Sequence, residues 1–242
     1  MALAKPEAPV DFYVDARTLD NNIRILRVLK KLGFKTIVLT YTTTDSTCET
    51  RDLEKNILEE CEKLRLNVFV KANILSENKG YLKMCLRRIR SKVDVVSISP
   101  KNLDVARFSG RDRRVDTVVF TYDELVRFYD DSQAKLMGQN GIALEIPFNR
   151  LWSGKQISYK TFFFLKRTFY YTVKFRVPLI ISSGTTKKIE VKSPKQLISL
   201  LEILGLPESY AKLSITTYPL AILKRNMHKR SCKHVQQGVD LA

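Results

Sequence analysis

Short apolar runs alternate with amphipathic runs along almost the whole chain, and this alternation restricts the fold more than any other feature. Val10–Val14, Phe34–Tyr41, Val68–Leu75, Val93–Ile98, Val115–Phe120, Ile142–Ile146 and Val177–Ile181 are dominated by apolar residues on both faces. Strands of that kind belong in a parallel sheet covered by helices on its outside. The intervening segments show helical spacing. Asp20, a candidate N-cap, precedes Ile23, Leu26, Leu29 and Leu32, and Gly33 stops that helix. Arg51–Leu64 turns Leu53, Ile57, Leu58, Cys61 and Leu64 inward. Tyr81–Ile89, Lys101–Phe108, part of Leu125–Met137 and the aromatic-rich Tyr159–Val173 follow as helices. Leu213–Ile215 is expected as a short eighth strand, and Pro219 starts a last helix through Leu223 and Met227.

The unit spacing of roughly 25–35 residues matches an α/β, TIM-barrel-like (β/α) barrel of seven or eight parallel strands. A doubly wound open sheet gives a similar pattern. No linker with a Gly, Ser or Pro shift interrupts the chain, so a single domain over residues 1–226 is expected, with 227–242 a basic, flexible tail.

Charge restricts the partner. Lys+Arg number 42 against 25 Asp+Glu, a net of +17 on 242 residues of which 44% are hydrophobic. The surplus is uneven: residues 1–150 carry a net of +5 and residues 151–242 a net of +12. A folded protein with such an imbalance points to a polyanion, since phosphate affinity comes largely from this charge. No apolar run approaches the roughly 20 residues of a membrane helix, so no membrane partner is expected.

Catalytic patterns are sparse. The two histidines, His228 and His234, both lie in the basic C-terminal stretch, away from the strand ends where a metal hydrolase needs them. Asp11 and Asp15 are four apart on the first strand, on one face by simple alternation, although Asp15 pairs more simply with Arg17. Asp116 has the same simple option with the neighbouring Arg113–Arg114 pair. G-x-S-x-G, G-x-G-x-x-G and the Walker pattern are absent. Lys71, inside an apolar strand, is a Schiff-base candidate or, more simply, a strand-end lysine that pairs with an acid or a phosphate. Cys48, Cys61, Cys85 and Cys232 lack C-x-x-C spacing. Cys61 and Cys85 are read as buried thiols, and a reducing, cytoplasmic location is expected.

The basic groupings are richer. Arg87, Arg88 and Arg90 end one helix, and Lys101, Arg107, Arg111, Arg113 and Arg114 follow within a short span. Lys155, Lys160, Lys166, Arg167, Lys174 and Arg176 accompany the aromatic helix, whose exposed rings could stack bases, although Phe162, Phe163 and Phe169 suit a core or a protein interface better. Lys224, Arg225, Lys229, Arg230 and Lys233 fill the end. The loop after the seventh strand, Ser182-Ser183-Gly184, is rimmed by Lys187, Lys188, Lys192 and Lys195. It leads to Ser193-Pro194, an N-cap with proline at the first helical position.

Several segments, taken in order, resemble one family. They are DFYVDART, LGFKTIVLT, DRRVDTVVF, ALEIPFNRL, LIISSGTTKKIEVKSPKQL and LLEILGLPESYAKLSITTYPLAILKRN. Together they span Val10 to Asn226 and are similar to the TIM-barrel-like protein component of archaeal and eukaryotic ribonuclease P. Thr185 and Lys192 stand where that family commonly has alanine and arginine.

The resemblance implies a non-catalytic subunit without a cofactor of its own, with magnesium bound by the catalytic RNA. Its implied partners are ribonuclease P RNA, a small RRM-like protein component and, indirectly, pre-tRNA. The RNA-binding residues expected are Arg87, Arg88, Arg90, Lys101, Arg107, Arg113, Arg114, Lys155, Arg176, Lys187, Lys188 and Lys195. The alternative is a metal-dependent or phosphate-handling barrel hydrolase using Asp11, Asp15, Lys71 and Glu145.

Overall fold

Each of the seven apolar runs forms a strand, and each strand pairs in parallel with the next in sequence. They are β1 (Val10–Asp15), β2 (Thr36–Thr44), β3 (Asn67–Ser76), β4 (Val95–Pro100), β5 (Thr117–Val119), β6 (Ala143–Pro147) and β7 (Leu179–Ser182). The computed structural model describes residues 8–21, 23–50, 54–151, 159–185, 191–230, 234–236 and 239–240. A doubly wound sheet would reverse its strand order partway. Here the order never reverses, and β7 comes back to β1 through a parallel bridge between Val14 and Thr185. The fold is therefore a nearly closed, TIM-barrel-like barrel of seven strands.

The outer face of the sheet, including Ile37, Leu39, Ile74, Ile98, Leu144 and Ile181, packs against helix residues such as Leu26, Leu29, Leu82, Leu86 and Val105. Those helices are α1 (Ala16–Asn21), α2 (Arg24–Lys31), α3 (Lys55–Lys63), α4 (Lys79–Ile89), α5 (Leu103–Ser109), α6 (Tyr122–Phe128), α7 (Asp131–Asn140), α8 (Phe148–Leu151), α9 (Tyr159–Lys174), α10 (Pro194–Ile203), α11 (Glu208–Leu213) and α12 (Thr217–Arg230). Ser193 caps α10 as its sequence predicts: its hydroxyl accepts from the Gln196 N–H while the Gln196 side chain accepts from the Ser193 N–H. Gly33, at φ +97°, stops α2.

Several expectations are corrected. Asp20 lies within α1, and the residue at the N-cap of α2 is Ile23, which makes no side-chain cap bond. The Leu125–Met137 region holds parts of two helices, because Asp130 starts a new one by accepting from the Gln133 N–H. The cysteines are not all free: Cys48 and Cys85 form a disulfide, with Cα atoms 5.4 Å apart, joining the loop after β2 to α4. That pairing removes the basis on which a reducing compartment was expected. Cys61 is buried and free, and burial pushes its thiol up to about 11. Among the described residues no helix is long and apolar enough to cross a membrane.

Leu213–Ile215 is not a strand. Leu213 ends α11, and the turn after it fills the seam between β1 and β7: Val10 N–H donates to Ile215 O at 2.8 Å and Ile181 N–H to Ser214 O at 3.3 Å. One backbone bond to each neighbour does here what an eighth strand would do with several.

The chain end is also more structured than a tail starting at residue 227 implies. Helix α12 runs to Arg230, and the backbone of β8 (His234–Gln236) pairs antiparallel with β9 (Val239–Asp240). Ile222 and Leu223 of α12 pack onto Val10, Phe12, Val38, Val95, Ala143 and Ile180, from the N-terminal halves of five strands. Helix α12 thus closes the barrel across the N-terminal strand ends.

Candidate nucleic-acid interface

Above that apolar plug the barrel interior is polar, unlike the layers of branched aliphatic residues usual in such barrels. Lys71 and Glu145 are both wholly buried and form an ion pair. Lys71 Nζ also donates to the Phe12 carbonyl at 2.6 Å and lies 4.8 and 4.5 Å from the Phe12 and Tyr13 ring centres. Glu145 accepts from the Thr117 hydroxyl at 2.7 Å. One turn of the pleat higher, the Asn73 side-chain Oδ1 accepts from the Ser97 and Ser99 hydroxyls, each at 3.1 Å. Lys71 is therefore the partner of a buried acid. Its ammonium is already committed, so it cannot serve as a Schiff-base nucleophile without breaking that network.

Asp11 and Asp15 do not share a face. The register shifts between Asp11 and Val14, so β1 carries an extra residue there and the alternation inverts. Asp15 stays at the C-terminal mouth, accepting from the Arg17 N–H at 3.0 Å. Asp11 turns into the β1–β7 seam, where it accepts from Ser183 N–H at 3.1 Å, from the Ser183 hydroxyl and from Tyr13 N–H at 3.4 Å. Asp11 is a strut of barrel closure. The four side chains a hydrolase would need are thus held in structural contacts, and among the described residues no group of three or more His, Cys, Asp or Glu could hold a metal.

Burial pushes the Asp11 carboxyl up to about 6, against the Ser183 and Tyr13 hydrogen bonds and the Lys71 charge, which pull it down. The folded state therefore binds this proton more tightly than the unfolded chain, whose carboxyl titrates near 3.8. The stability so contributed is complete below the unfolded value and is lost as pH rises through about 6. Asp11→Asn keeps an acceptor for the two N–H groups and carries no charge. Relative to the parent, it should gain up to about 3 kcal/mol between roughly pH 4 and pH 8. Urea denaturation across that range measures the difference, and parallel stability–pH curves would show that Asp11 does not titrate there.

At the N-terminal strand ends positive charge outweighs negative. Asp116, which precedes β5, does not pair with Arg113 or Arg114 as their proximity in sequence suggests. It accepts from Arg90 at 2.6 Å and from Arg225 of α12 at 2.9 Å. Lys229 stands one turn beyond Arg225. Desolvation first, then repulsion from Arg225, Arg90 and Arg113, holds the Lys229 ammonium below its ordinary value, with only Asp116 pulling the other way. Two arginines thus hold the Asp116 carboxylate, with Lys229 and Arg113 close enough to feel the same charges. Arg87 and Arg88, exposed in the last turn of α4, extend the patch and also oppose the negative end of that helix. Asp94 is used separately, by Arg230.

The expected RNA-binding residues divide between the two ends of the barrel. Arg87, Arg88, Arg90 and Arg113 join the patch described. Arg114 is beside it but engaged, its guanidinium bonded to Asp112 at 2.6 and 2.9 Å. Arg176, exposed at φ +53° in the turn before β7, lies on the same side of the barrel. Lys101 follows β4 at the opposite mouth and pairs with Glu124 at 2.7 Å. Arg107 pairs with Asp130 at 2.6 Å. Lys195 is exposed in the first turn of α10, also at the opposite mouth. Lys155, Lys187 and Lys188 lie outside the described residues.

Arg225 and Lys229 were not among the residues expected. Their basic run is visible in the sequence, but only the return of α12 across the barrel brings them to Arg90 and Arg113.

Fold and charge define a seven-stranded β/α barrel with a basic face across the N-terminal strand ends. Comparison with known proteins makes the assignment specific. The chain belongs to the RNase P subunit p30 family, whose model matches residues 9–231. Among similar proteins, ribonuclease P protein component 3 of Methanothermobacter thermautotrophicus is 24% identical over 233 residues, covering 96% of this chain and 94% of the relative. Its counterpart in Methanocaldococcus jannaschii is 26% identical over 227 residues, covering 92% and 93%. A chain in the cryo-EM structure of archaeal ribonuclease P with mature tRNA shares the fold, at a TM-score of 0.77 and 21% identity over 96% of both chains.

Proposed function

We propose that this chain is a non-catalytic protein subunit of ribonuclease P, which binds the catalytic RNA and stabilises its active fold for removal of the pre-tRNA 5′ leader. The observation that carries the reading, within this family, is the pairing of Asp116 with both Arg90 and Arg225, beside Lys229 and Arg113 and extended by exposed Arg87 and Arg88. Cations held this close repel one another, and a phosphate between them relieves the repulsion. Arginine forks bind phosphate through two parallel hydrogen bonds, so the face suits a folded polyphosphate backbone and does not depend on base identity.

In this reading the magnesium belongs to the RNA, a small RRM-like protein is the companion subunit, and pre-tRNA is met through the RNA. The commitment of Lys71, Glu145 and Asp11 to barrel contacts supports a role without chemistry of its own. The deciding experiment is pre-tRNA cleavage by ribonuclease P RNA and its RRM-like partner at limiting magnesium, with and without this chain. Stimulation that requires the RNA is expected. Cleavage by the protein alone, or no stimulation, would refute the assignment.

A further inference from the structure

Helix α9 has two apolar faces. Thr161, Leu165, Thr168, Phe169 and Thr172 are buried against the barrel. On the opposite side Tyr159, Phe163, Lys166, Tyr170 and Val173 follow one another at intervals of four, three, four and three residues. That is the spacing of a seam that meets another helix. Tyr159 is 84% exposed, Phe163 55% and Tyr170 61%. At its C-terminal end the seam opens into a groove of about 600 Å³, with Phe169, Tyr170 and Val173 on one wall and Leu204, Leu206 and Pro207 on the other. Isolated exposed apolar residues are ordinary, but a stripe interrupted only by Lys166 beside an apolar groove marks a contact surface.

Charge selects the occupant. Helix α9 contains no acidic residue, and none occurs from residue 146 to residue 189. Lys174 is already met by Asp131 at 3.1 Å. Lys160 and Lys166 are exposed, and Arg167 stands 4.8 Å from the Phe164 ring with its Nε lacking an acceptor among the described residues. A second copy of this chain would set these cations against their own equivalents. The aliphatic groove wall of Val173, Leu204, Leu206 and Pro207 suits a branched apolar side chain better than a base, which needs a flat platform.

The geometry points to α9 and its groove as the docking surface for an amphipathic helix of another protein, apolar at its centre and acidic on its flanks. Such a helix would cross α9 at about 20°, as seams of this spacing do. The surface is separate from the basic face at the strand ends, so this inference stands or falls independently of the RNA-binding reading.

The test uses the full chain and three designed helical peptides about three heptads long. All share one leucine seam, with Glu, Gln or Lys on the flanks, and binding is followed by fluorescence anisotropy. The Glu-flanked peptide should bind at least tenfold more tightly than the Gln-flanked one, and the Lys-flanked peptide most weakly. Phe163→Asp with Tyr170→Asp should weaken the Glu-flanked peptide more than tenfold, with circular dichroism unchanged because both positions are exposed. The peptide series on the parent chain does not depend on that variant folding. No binding of the Glu-flanked peptide, or no ordering with flank charge, would overturn the proposal. So would binding of single-stranded oligouridylate through Phe163 and Tyr170, which makes RNA the occupant, or dimerisation of the chain lost in the double variant, which makes it a second copy.

Discussion

Lys71→Met is expected to destabilise the protein by about 3–5 kcal/mol, because it leaves Glu145 as an uncompensated charge in the barrel core. Glu145 would keep the Thr117 hydroxyl but lose the ammonium that now bridges it to the Phe12 carbonyl. A domain of ordinary stability has only about 5–15 kcal/mol to lose, so the variant should be marginal at best. The electrostatic cause is separable from packing, since methionine fills most of the lysine volume and retains contact with the Phe12 and Tyr13 rings. Adding Glu145→Gln, which removes the charge and keeps an acceptor for Thr117, should recover more than half of the loss. Chemical denaturation of the parent, both single variants and the double variant completes the cycle. A Lys71→Met penalty below about 1 kcal/mol would mean that the pair is solvated or not formed.

The second large effect concerns the basic face. Changing Arg87, Arg88, Arg113 and Lys229 together to glutamine should weaken binding to ribonuclease P RNA by about a thousandfold at 0.1 M salt. The slope of log affinity against log salt should become shallower by roughly three. These four side chains are exposed and, among the described residues, form no ion pair, so the fold should tolerate their loss at a small cost at the α4 C-terminus. Lys101, Arg107 and Lys195 changed to glutamine form the control. Two of them already hold acids, and Lys101 and Lys195 lie toward the other mouth. Equal losses from the two sets would indicate diffuse attraction without a defined face, and loss from the control set alone would place the RNA on the opposite side. Filter binding across a salt series distinguishes these outcomes.

The strands were legible because a parallel strand buried on both faces is an uninterrupted apolar run, and helix α10 because serine, proline and glutamine state its start in three adjacent rules. Their ends were less so: β2 extends to Thr44, where threonines look like loop but have the β-branched shape that a strand accommodates. The break between α6 and α7 carried a readable signal in Asp130, hidden by the apolar residues on either side. Barrel closure was not legible, since the Ser214–Ile215 turn acts by two backbone bonds that no side-chain pattern records. The extra residue in β1, which separates Asp11 from Asp15, left no trace in composition either. The Cys48–Cys85 bond was equally hidden, its partners being 37 residues apart in different elements. As for the basic face, the sequence shows how much positive charge there is but not where it gathers. Residues 90, 113, 225 and 229 meet only in three dimensions.

Closure of the barrel by the last helix also orders events in the life of the chain. The first strand leaves the ribosome with its Val10 N–H and its apolar inner face unprovided for, and both wait for residues from Ser214 to Leu223. Contacts this distant in sequence form late, after the neighbouring strand pairs. The residues that complete the apolar plug lie within a few positions of Arg225 and Lys229, so the full cationic face does not exist on a nascent or truncated chain. An RNA that requires that face is offered it only by a chain synthesised through Lys229. In return, whatever grips α12 from outside resists its departure and keeps the barrel shut.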